Sequence, residues 1–350
     1  MLVFLFSQQT DFLKNVIIHT RHGARTPLNG YPNDPAVWNC AKSIQMTFQP
    51  SVSKKPLNLI FDVKKELTGT CSKGQLSDQG FTQHVHLSQL WSKLYPFKSF
   101  ELYSTTVPRV RLSLLGQLQN FQSKNPFQVQ VSSKLYDQIF LQGYCPNDYK
   151  YQKLVYEQID LKKEELKDLQ RRTGWSASWE DFADSFQSRD IMGVSYPESV
   201  TEADKKTARD VTDNIWHSYY YNQLNIEEKN KYLKMTIGMY MKDLKYSILD
   251  GVNKIVSGHD MSIAPLAGIL VENGEFYGQP GFASFLNVEV WNINEQNTIK
   301  IRFRAKEQEN EGKYVRIQVC GELQCSVEEV IDWMEQFSIN FAQRTELCTQ

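Results

Sequence analysis

The segment VIIHTRHGARTPL, residues 16–28, begins with apolar residues and then turns abruptly polar. Its first part, within residues 15–20, is short and β-branched, which predicts a buried strand. The polar part places Arg21, His22 and Arg25 directly after that strand. Because like charges that lie close together destabilise one another unless an anion joins them, this turn predicts a site for an anionic ligand.

The composition of the 350-residue chain is that of an ordinary globular protein, with 41% hydrophobic and 23% charged residues. A net charge of -1 without a basic stripe argues against a nucleic-acid partner. No apolar run approaches the ~20 residues that a membrane span needs, so no span is expected. The run LVFLF at 2–6 is too short for an ordinary signal peptide. It is either the remnant of a truncated signal or a frayed N-terminus.

The chain contains six cysteines. None of them forms a CxxC pair and no histidine lies at zinc-finger spacing from them, so a zinc site is not expected. The even number and the position of Cys348 near the end favour disulfides, but the residues alone do not fix the pairs.

Strand–turn–helix units occupy both ends of the chain, and a mainly helical block lies between them. This order predicts an α/β core, formed by residues 10–120 and 236–350, with a helical insert at 121–235. Ligands of such sheets bind at the carboxyl ends of the strands. Three turns at strand ends are therefore candidates for the site: residues 20–27, 104–109 and 257–262.

The side chains of these turns suit a phosphate group, because guanidinium groups match phosphate oxygens in pairs. The expected phosphate-binding residues are Arg21, Arg25, Arg109 and His259. His22 is the candidate nucleophile, since its flanking arginines disfavour the protonated imidazole. Asp260 is the candidate general acid, which predicts an acidic pH optimum. No metal or other cofactor is expected, because the arginines supply the positive charge.

The joint presence of RHGARTP at 21–27 and HD at 259–260 resembles the histidine acid phosphatase family, the second branch of the histidine phosphatase superfamily. The similarity extends over nearly the whole chain and includes LYSTTVPRVRLS at 102–113 and SGHDMSIAPLAGIL at 257–270. Within the family, the YCP sequence at 144–146 is similar to that of 2-phosphoxylose phosphatases, and the RHGAR sequence is similar to that of lysophosphatidic acid phosphatases.

This resemblance implies a phosphoglycerate-mutase-like core, with a mixed sheet flanked by helices and a helical cap over the substrate. It implies that His22 becomes phosphorylated and that Asp260 protonates the leaving group, while Arg21, Arg25, Arg109 and His259 bind phosphate. It also implies disulfides Cys145–Cys348 and Cys320–Cys325, which leaves Cys40 with Cys71. These disulfides and the usual location of family members predict a protein of the secretory pathway, which is secreted, lysosomal or vesicular. Because members of the family often dimerise, the resemblance also implies a homodimer.

The sequence departs from the family pattern at three positions. Thr106 replaces an acidic residue, Val110 replaces a threonine and Met239 replaces an arginine. None of these changes removes a candidate catalytic group, so they bear on the fit of the substrate rather than on the reaction.

Several residues have alternative interpretations. Arg111 lies two positions from Arg109 and is an alternative for its role, and Asp260 is alternatively a helix N-cap without catalytic duty. His84 and His86 face different sides of a predicted helix and do not chelate a metal together. Structural packing is expected for His19, His84 and His217.

The leading hypothesis is therefore an acid phosphatase that hydrolyses small-molecule phosphomonoesters through phospho-His22. A phytase-like inositol phosphate phosphatase is the runner-up, which would need a broad basic pocket mouth. A catalytically silent phosphate-binding protein is disfavoured because nucleophile and acid are both present. A phosphomutase is disfavoured because those enzymes usually lack the late HD pair. Substrate choice is expected to depend on the 28–76 loops and the 121–235 insert.

Overall fold

A computed structural model describes residues 11–40, 44–48, 57–61, 66–97, 99–121, 127–131, 136–141, 145–221, 226–306 and 311–349. Its strands are β1 (Phe12–Arg21), β2 (Ile44–Phe48), β3 (Leu57–Phe61), β4 (Glu101–Ser104), β5 (Val129–Val131), β6 (Lys254–Gly258), β7 (Phe285–Ile293), β8 (Gln296–Arg304), β9 (Lys313–Val315) and β10 (Cys325–Ser326). Its helices are α1 (Asp78–Leu94), α2 (Pro108–Gln117), α3 (Pro146–Gln158), α4 (Lys163–Thr173), α5 (Trp179–Met192), α6 (Glu202–Tyr220), α7 (Ile226–Leu249), α8 (Asp260–Leu270), α9 (Val327–Glu335) and α10 (Phe341–Thr349).

A mixed sheet carries the candidate site. Its strand order within the described residues is β10-β8-β7-β1-β6-β4-β5, and β9 pairs with β8. Strands β1, β6, β4 and β5 run parallel to one another, whereas β7 is antiparallel to β1. Strands β2 and β3 form a separate hairpin inside the region predicted as loops. The predicted α/β class, with a mixed sheet flanked by helices, is confirmed.

The register of the parallel strands brings the three candidate turns to one edge. Arg21 at the end of β1 pairs with Gly258 at the end of β6, and Ser104 at the end of β4 pairs with Ser257. Since these strands are parallel, the turns that follow them leave the sheet side by side. The convergence predicted from the strand ends therefore holds in the structure.

Strand β1 is buried on both faces, which explains its run of apolar residues. Ile17 packs into a large core cluster that contains side chains of the helical segment, including Phe182 and Trp216. Val16 and Ile18 point the other way, into a second cluster with Trp91 of α1. The alternation of side chains along the strand thus fastens β1 between two helical layers.

The segment between the two predicted core parts is mainly helical, with two differences from the prediction. Strand β5 lies within it and pairs with β4 at the edge of the sheet. The expected boundary at 235/236 falls inside α7. The large core cluster is continuous from this segment into the sheet, so the helices share the core rather than enclosing one of their own.

Two local predictions were wrong. The apolar segment APLAGILVEN at 264–273 predicts a helix closed by Gly274, but α8 begins earlier, at Asp260, and ends at Leu270. It ends there because Val271 is already extended and bridges Ile317. The alternating residues of YVRIQVC at 314–320 predict a strand, but β9 covers only Lys313–Val315, after which the chain turns.

All six cysteines form disulfides, as Cys40–Cys71, Cys145–Cys348 and Cys320–Cys325. The second of these ties the start of α3 to the last described helix. In the described part of the chain, no helix combines the length and the apolar composition that crossing a membrane requires.

Buried histidines predict that the fold loses stability in mild acid. Burial lowers the pKa of His19 to about 3, while its ring nitrogens contact the Leu286 carbonyl and the Tyr240 hydroxyl. Below pH 6.5 the unfolded chain binds a proton there and the folded chain does not, so stability falls by up to about 1.4 kcal/mol per pH unit. Denaturant unfolding between pH 7.5 and 5 should show a shallower loss in His19→Gln than in wild type. The exposed His86→Gln is the control and should keep the wild-type slope; an unchanged slope in His19→Gln would contradict this account.

Candidate active site

The turn after β1 is fixed by close backbone contact with the N-terminus of α1. A Cβ atom added to Gly23 would lie 2.1 Å from the Gly80 carbonyl oxygen, so only glycine allows this approach. Ser77 caps α1 by accepting a hydrogen bond from the Gly80 N–H (3.0 Å) and donates one to the Ala24 carbonyl (3.0 Å). The glycine of the RHG motif therefore allows the turn to pack closely against the N-terminus of α1.

His22 has its ring fixed in one orientation and one tautomer. Its backbone N–H donates to the Gly258 carbonyl (3.0 Å), which joins the ends of β1 and β6. Ring atom Nδ1 lies 2.9 Å from the Gly23 carbonyl oxygen, which can only accept. In the neutral imidazole, Nδ1 therefore carries the hydrogen and Nε2 keeps its lone pair.

The pKa of His22 lies well below its ordinary value, mainly because the ring is buried and then because of the charges of Arg109, Arg21 and Arg25. The sequence predicted the direction of this shift from the neighbouring arginines alone. Burial has the largest effect, and Arg109 contributes more than either arginine of the motif. His22 consequently stays neutral in mildly acidic solution.

His259 stands opposite His22 at the end of β6. The two ring centroids are 5.5 Å apart, and the rings are nearly perpendicular. Its Nε2 lies 3.1 Å from the hydroxyl of Thr105, and the ring of Phe140 stacks on it with centroids 3.9 Å apart. Burial, followed by the charge of Arg109, holds the pKa of His259 well below its ordinary value.

Three arginines converge on these histidines. Arg21 is fully buried, donates to the Pro280 carbonyl and has its guanidinium 4.4 Å from the centre of the Phe282 ring. The guanidinium of Arg25 lies 5.5 Å from the same ring. Within the described structure, the Nε atoms of Arg21, Arg25 and Arg109 are buried without a hydrogen-bond partner. Buried donors without partners are costly, so this arrangement calls for an acceptor that is supplied by a ligand.

Arg109, at the start of α2, lies close enough to both histidines to influence them electrostatically, whereas its predicted role in phosphate binding stays a prediction. Its charge lowers the pKa of both His22 and His259. Burial, with the nearby charge of Arg25, lowers the pKa of Arg109 itself to about 9. Arg111, the alternative, is not among the charges that act on either histidine.

Asp260 is the first residue of α8 and lies beside Arg21. The N-cap of this helix is His259, so the alternative that Asp260 is the N-cap was wrong. Its Oδ1 accepts a hydrogen bond from the Met261 N–H (2.9 Å), and its Oδ2 lies 2.9 Å from Nη2 of Arg21. Nε2 of Gln279 also donates to Oδ2 (2.8 Å). These donors fix the direction in which the carboxyl group points.

Gln279 was not singled out by the sequence, although it anchors Asp260. Its backbone N–H donates to Asp213 of α6 (2.8 Å), and its carbonyl accepts from Nζ of Lys306 (2.8 Å). Lys306 in turn lies 3.1 Å from the Asp213 carboxylate. Gln279 lies in the turn between α8 and β7. Through Gln279, this turn contacts both Asp260, the candidate general acid, and Asp213 of the helical segment.

Asp184 is the second important residue that sequence reasoning missed. It projects from α5 and binds the guanidinium of Arg25 through both carboxylate oxygens, at 2.6 Å and 3.1 Å. The two residues are 159 positions apart, so no local spacing could reveal the pair. The only sequence signal was the position of Asp184 in the segment expected to cover the site.

The remaining histidines pack as expected. His84 is fully buried on α1, where Gln117 lies 3.0 Å from its Nδ1, and burial lowers its pKa to about 3. His217 packs between the rings of Tyr221 and Tyr277. Across the described ranges, no group of three or more His, Cys, Asp or Glu side chains is arranged to hold a metal ion.

A cleft of about 470 Å³ opens beside Phe282, between the helices α5 and α6 and the turn at 279–282. Its charged lining residues are Asp190, Lys205, Arg209, Asp213 and Lys306. Arg209 lies 3.9 Å from Asp190, and Lys306 pairs with Asp213. The cleft therefore carries mixed charge rather than a continuous basic surface.

Phytases are among the solved structures that share this fold. The phytase from Citrobacter braakii matches with a TM-score of 0.61 and 13% identity, over 97% of this chain and 100% of that one. The apo phytase of Hafnia alvei matches with a TM-score of 0.62 and 11% identity, over 95% of this chain and 98% of that one. These proteins belong to the histidine acid phosphatase family. The chain has the histidine acid phosphatase fold.

A further solved structure shares this fold. The multiple inositol polyphosphate phosphatase of Bifidobacterium longum, solved in complex with phosphate, matches with a TM-score of 0.55 and 10% identity over 96% of this chain and 95% of that one. By sequence, Counting factor 60 of Dictyostelium discoideum is 22% identical over 91% of this chain and 85% of its own length. No protein-family model matches the chain. The expected likeness to 2-phosphoxylose and lysophosphatidic acid phosphatases in particular stays a prediction.

Proposed function

We propose that the chain is an acid phosphatase that hydrolyses phosphomonoesters through a phosphohistidine intermediate on His22. The observation that carries this proposal is the set of three buried guanidinium groups, gathered around a neutral imidazole, whose Nε donors have no partner among the described residues. Two carboxylates, Asp184 and Asp260, contact these arginines. Since both histidines are neutral, the site retains excess positive charge for a phosphate.

In the first step, Nε2 of His22 attacks phosphorus and forms a P–N bond as the P–O bond to the alcohol breaks. The leaving oxygen takes a proton from the Asp260 carboxylic acid. Arg21, Arg25 and Arg109 offset the charge on the equatorial oxygens. In the second step, water attacks phosphorus, Asp260 takes up the proton and the P–N bond breaks. Inorganic phosphate leaves and the neutral imidazole is restored.

The pH dependence follows from these roles. The lowered pKa of His22 keeps the nucleophile unprotonated well into the acid range. Asp260 must carry a proton to donate it, so activity falls as the pH rises. A phosphomonoester also loses its second proton near pH 6, and the single-charged form suits the limited positive excess of the site. We therefore expect maximal activity below pH 6.

The direct test is hydrolysis of 4-nitrophenyl phosphate across pH 3–8, with and without EDTA. The proposal predicts activity that is highest in acid and unchanged by EDTA, with inorganic phosphate as a competitive inhibitor. Absence of activity at every pH in a folded protein that binds phosphate or vanadate would contradict hydrolysis of simple esters. It would favour the phosphate-binding alternative instead.

The phytase-like alternative depends on the charge of the cleft. Lys205, Arg209 and Lys306 line it, which the sequence did not suggest, because no lysine-rich segment is present. Two of these cations are paired with carboxylates of the same cleft, which leaves little charge for a polyanion. The mixed cleft therefore favours a monoester with a neutral or mildly polar alcohol. A kcat/KM for inositol hexakisphosphate well above that for simple monoesters would reverse this preference.

We further propose that residues 121–235 form the cap that sets substrate choice, because α5 and α6 supply much of the cleft wall. Three disulfides are consistent with an oxidising compartment, which supports the secretory pathway as the location. A homodimer also stays a proposal. Sedimentation of the purified chain would test it.

A further inference from the structure

Asp184 of the helical segment reaches the motif turn at the point where phosphate is expected. Its Oδ1 accepts from Nη2 of Arg25 (2.6 Å), and its Oδ2 accepts from Nη1 (3.1 Å). Oδ2 also accepts from the backbone N–H of Leu28 (2.9 Å). One partly buried carboxylate therefore holds both the guanidinium and the end of the turn.

These contacts select which edge of the guanidinium faces a ligand. Asp184 occupies the end formed by Nη1 and Nη2, and Nη1 also donates to the Thr26 carbonyl (3.0 Å). The Nε donor of Arg25 is buried and has no partner among the described residues. Nε and the second hydrogen of Nη2 form a fork of the kind that binds two phosphate oxygens.

We propose that Asp184 is a positioning residue for phosphate transfer, which holds the Nε–Nη2 edge of Arg25 ready for the substrate phosphate. This inference rests on the proposed function. It assigns no contact between Asp184 and the substrate. Its effect passes through Arg25.

The charges around the site support this role. Arg25 and Arg109 lie close enough that the charge of the former lowers the pKa of the latter. Asp184 counteracts this repulsion, since its charge acts in the opposite direction on both Arg109 and Arg21. A buried arginine that loses its carboxylate partner is left with an uncompensated charge and tends to move. Asp184 thus keeps the arginines in place before a substrate arrives.

The position of Asp184 depends on how α5 packs within the helical segment. The helix begins at the N-cap Ser178 with a capping box to Asp181, and Phe182 and Phe186 pack in the core. Asp181 also accepts a hydrogen bond from the side chain of Asn29 (2.9 Å). Both carboxylates join this part of the chain to α5, but of these two contacts only that of Asp184 reaches the guanidinium.

The test compares Asp184→Ala, Asp184→Asn and Asn29→Ala on 4-nitrophenyl phosphate. We expect Asp184→Ala to lower kcat by roughly 10- to 100-fold, as misplaced binding groups do, with KM changed by less than about threefold. Asp184→Asn keeps one acceptor oxygen and should lose less. Asn29→Ala removes the other contact between turn and helix and should keep wild-type kcat. Thermal unfolding of each variant separates lost activity from lost structure.

A double-mutant cycle with Arg25→Ala decides whether the effect passes through the guanidinium. In the Arg25→Ala background, Asp184→Ala should change kcat by less than about threefold, because the group it positions is gone. Independent, multiplicative losses would overturn the inference, as would wild-type kcat in Asp184→Ala. An inactive wild-type chain would instead contradict the proposed function, so the two failures are distinguishable.

Discussion

Replacing His22 with alanine is expected to lower kcat on 4-nitrophenyl phosphate by roughly 10⁴-fold or more, the scale seen when a nucleophile is lost. Nε2 of His22 combines a lone pair, fixed by the Nδ1 contact to Gly23, with a position among three arginines. The arginines remain in the variant, so affinity for phosphate should persist. Steady-state kinetics and phosphate titration measure the two properties.

The control for this prediction is His86→Ala, which removes an exposed histidine of α1 and should keep wild-type activity. Thermal unfolding should show that His22→Ala remains folded. Residual activity within tenfold of wild type, at any pH between 3 and 8, would contradict the role of His22 as nucleophile.

Replacing Asp260 with asparagine is expected to have an effect that depends on the leaving group. Alkyl phosphates need protonation of the departing oxygen, so their hydrolysis should slow by about 10²- to 10⁴-fold. 4-Nitrophenolate leaves without a proton, so formation of the phosphoenzyme from its ester should be affected much less. Asparagine preserves the size of the side chain and an acceptor for Gln279. Rates for a series of phenyl and alkyl phosphates, in wild type and variant, measure this dependence.

Gln279→Leu is the matched comparison for this series, because it removes a donor on Asp260 without removing the carboxyl group. If Asp260 is the acid, the slope of log kcat against leaving-group basicity should steepen strongly in Asp260→Asn and less in Gln279→Leu. Equal slopes in wild type and Asp260→Asn would show that another group supplies the proton.

The sequence was sufficient for the parts of the site that lie next to strands. Arg21 ends β1 and His22 and Arg25 follow it. His259 and Asp260 follow β6, and parallel pairing brings these strand ends together. A strand followed by an abrupt polar turn can be recognised from a short stretch of sequence. Because binding sites of such sheets lie at the carboxyl ends of the strands, two such turns are expected to lie close together in space.

The sequence was insufficient where a contact depends on how the helical segment packs. Asp184 meets Arg25, and Asp213 meets Gln279, only after α5 and α6 have settled on the core. No periodicity or spacing specifies such pairs, since both partners look like ordinary surface residues of helices and turns. The end of α8 was misplaced for a related reason, because the bridge from Val271 to Ile317 is also a long-range contact.

The helical segment contacts the candidate site directly as well as packing over it. It supplies a carboxylate to one arginine, it fixes the turn that orients Asp260, and it forms much of the cleft wall. Changes of sequence within this segment can therefore alter substrate fit and arginine placement together. The candidate residues of the proposed reaction lie at the ends of β1, β4 and β6 or in the turns and helix starts that follow these strands.

Capture of the covalent intermediate tests directly whether the phosphoryl group is transferred to His22. Wild-type protein is mixed with ³²P-labelled 4-nitrophenyl phosphate at acidic pH and denatured within milliseconds in alkali, which preserves phosphohistidine. Mass spectrometry of the digest then locates the phosphate. If His22 is the nucleophile, the wild-type protein should carry alkali-stable, acid-labile phosphate on His22. This phosphate should be absent from His22→Ala and increased in Asp260→Asn, where hydrolysis of the intermediate is slowed. Rapid turnover with no phosphate on His22, or with phosphate on another residue, would contradict it.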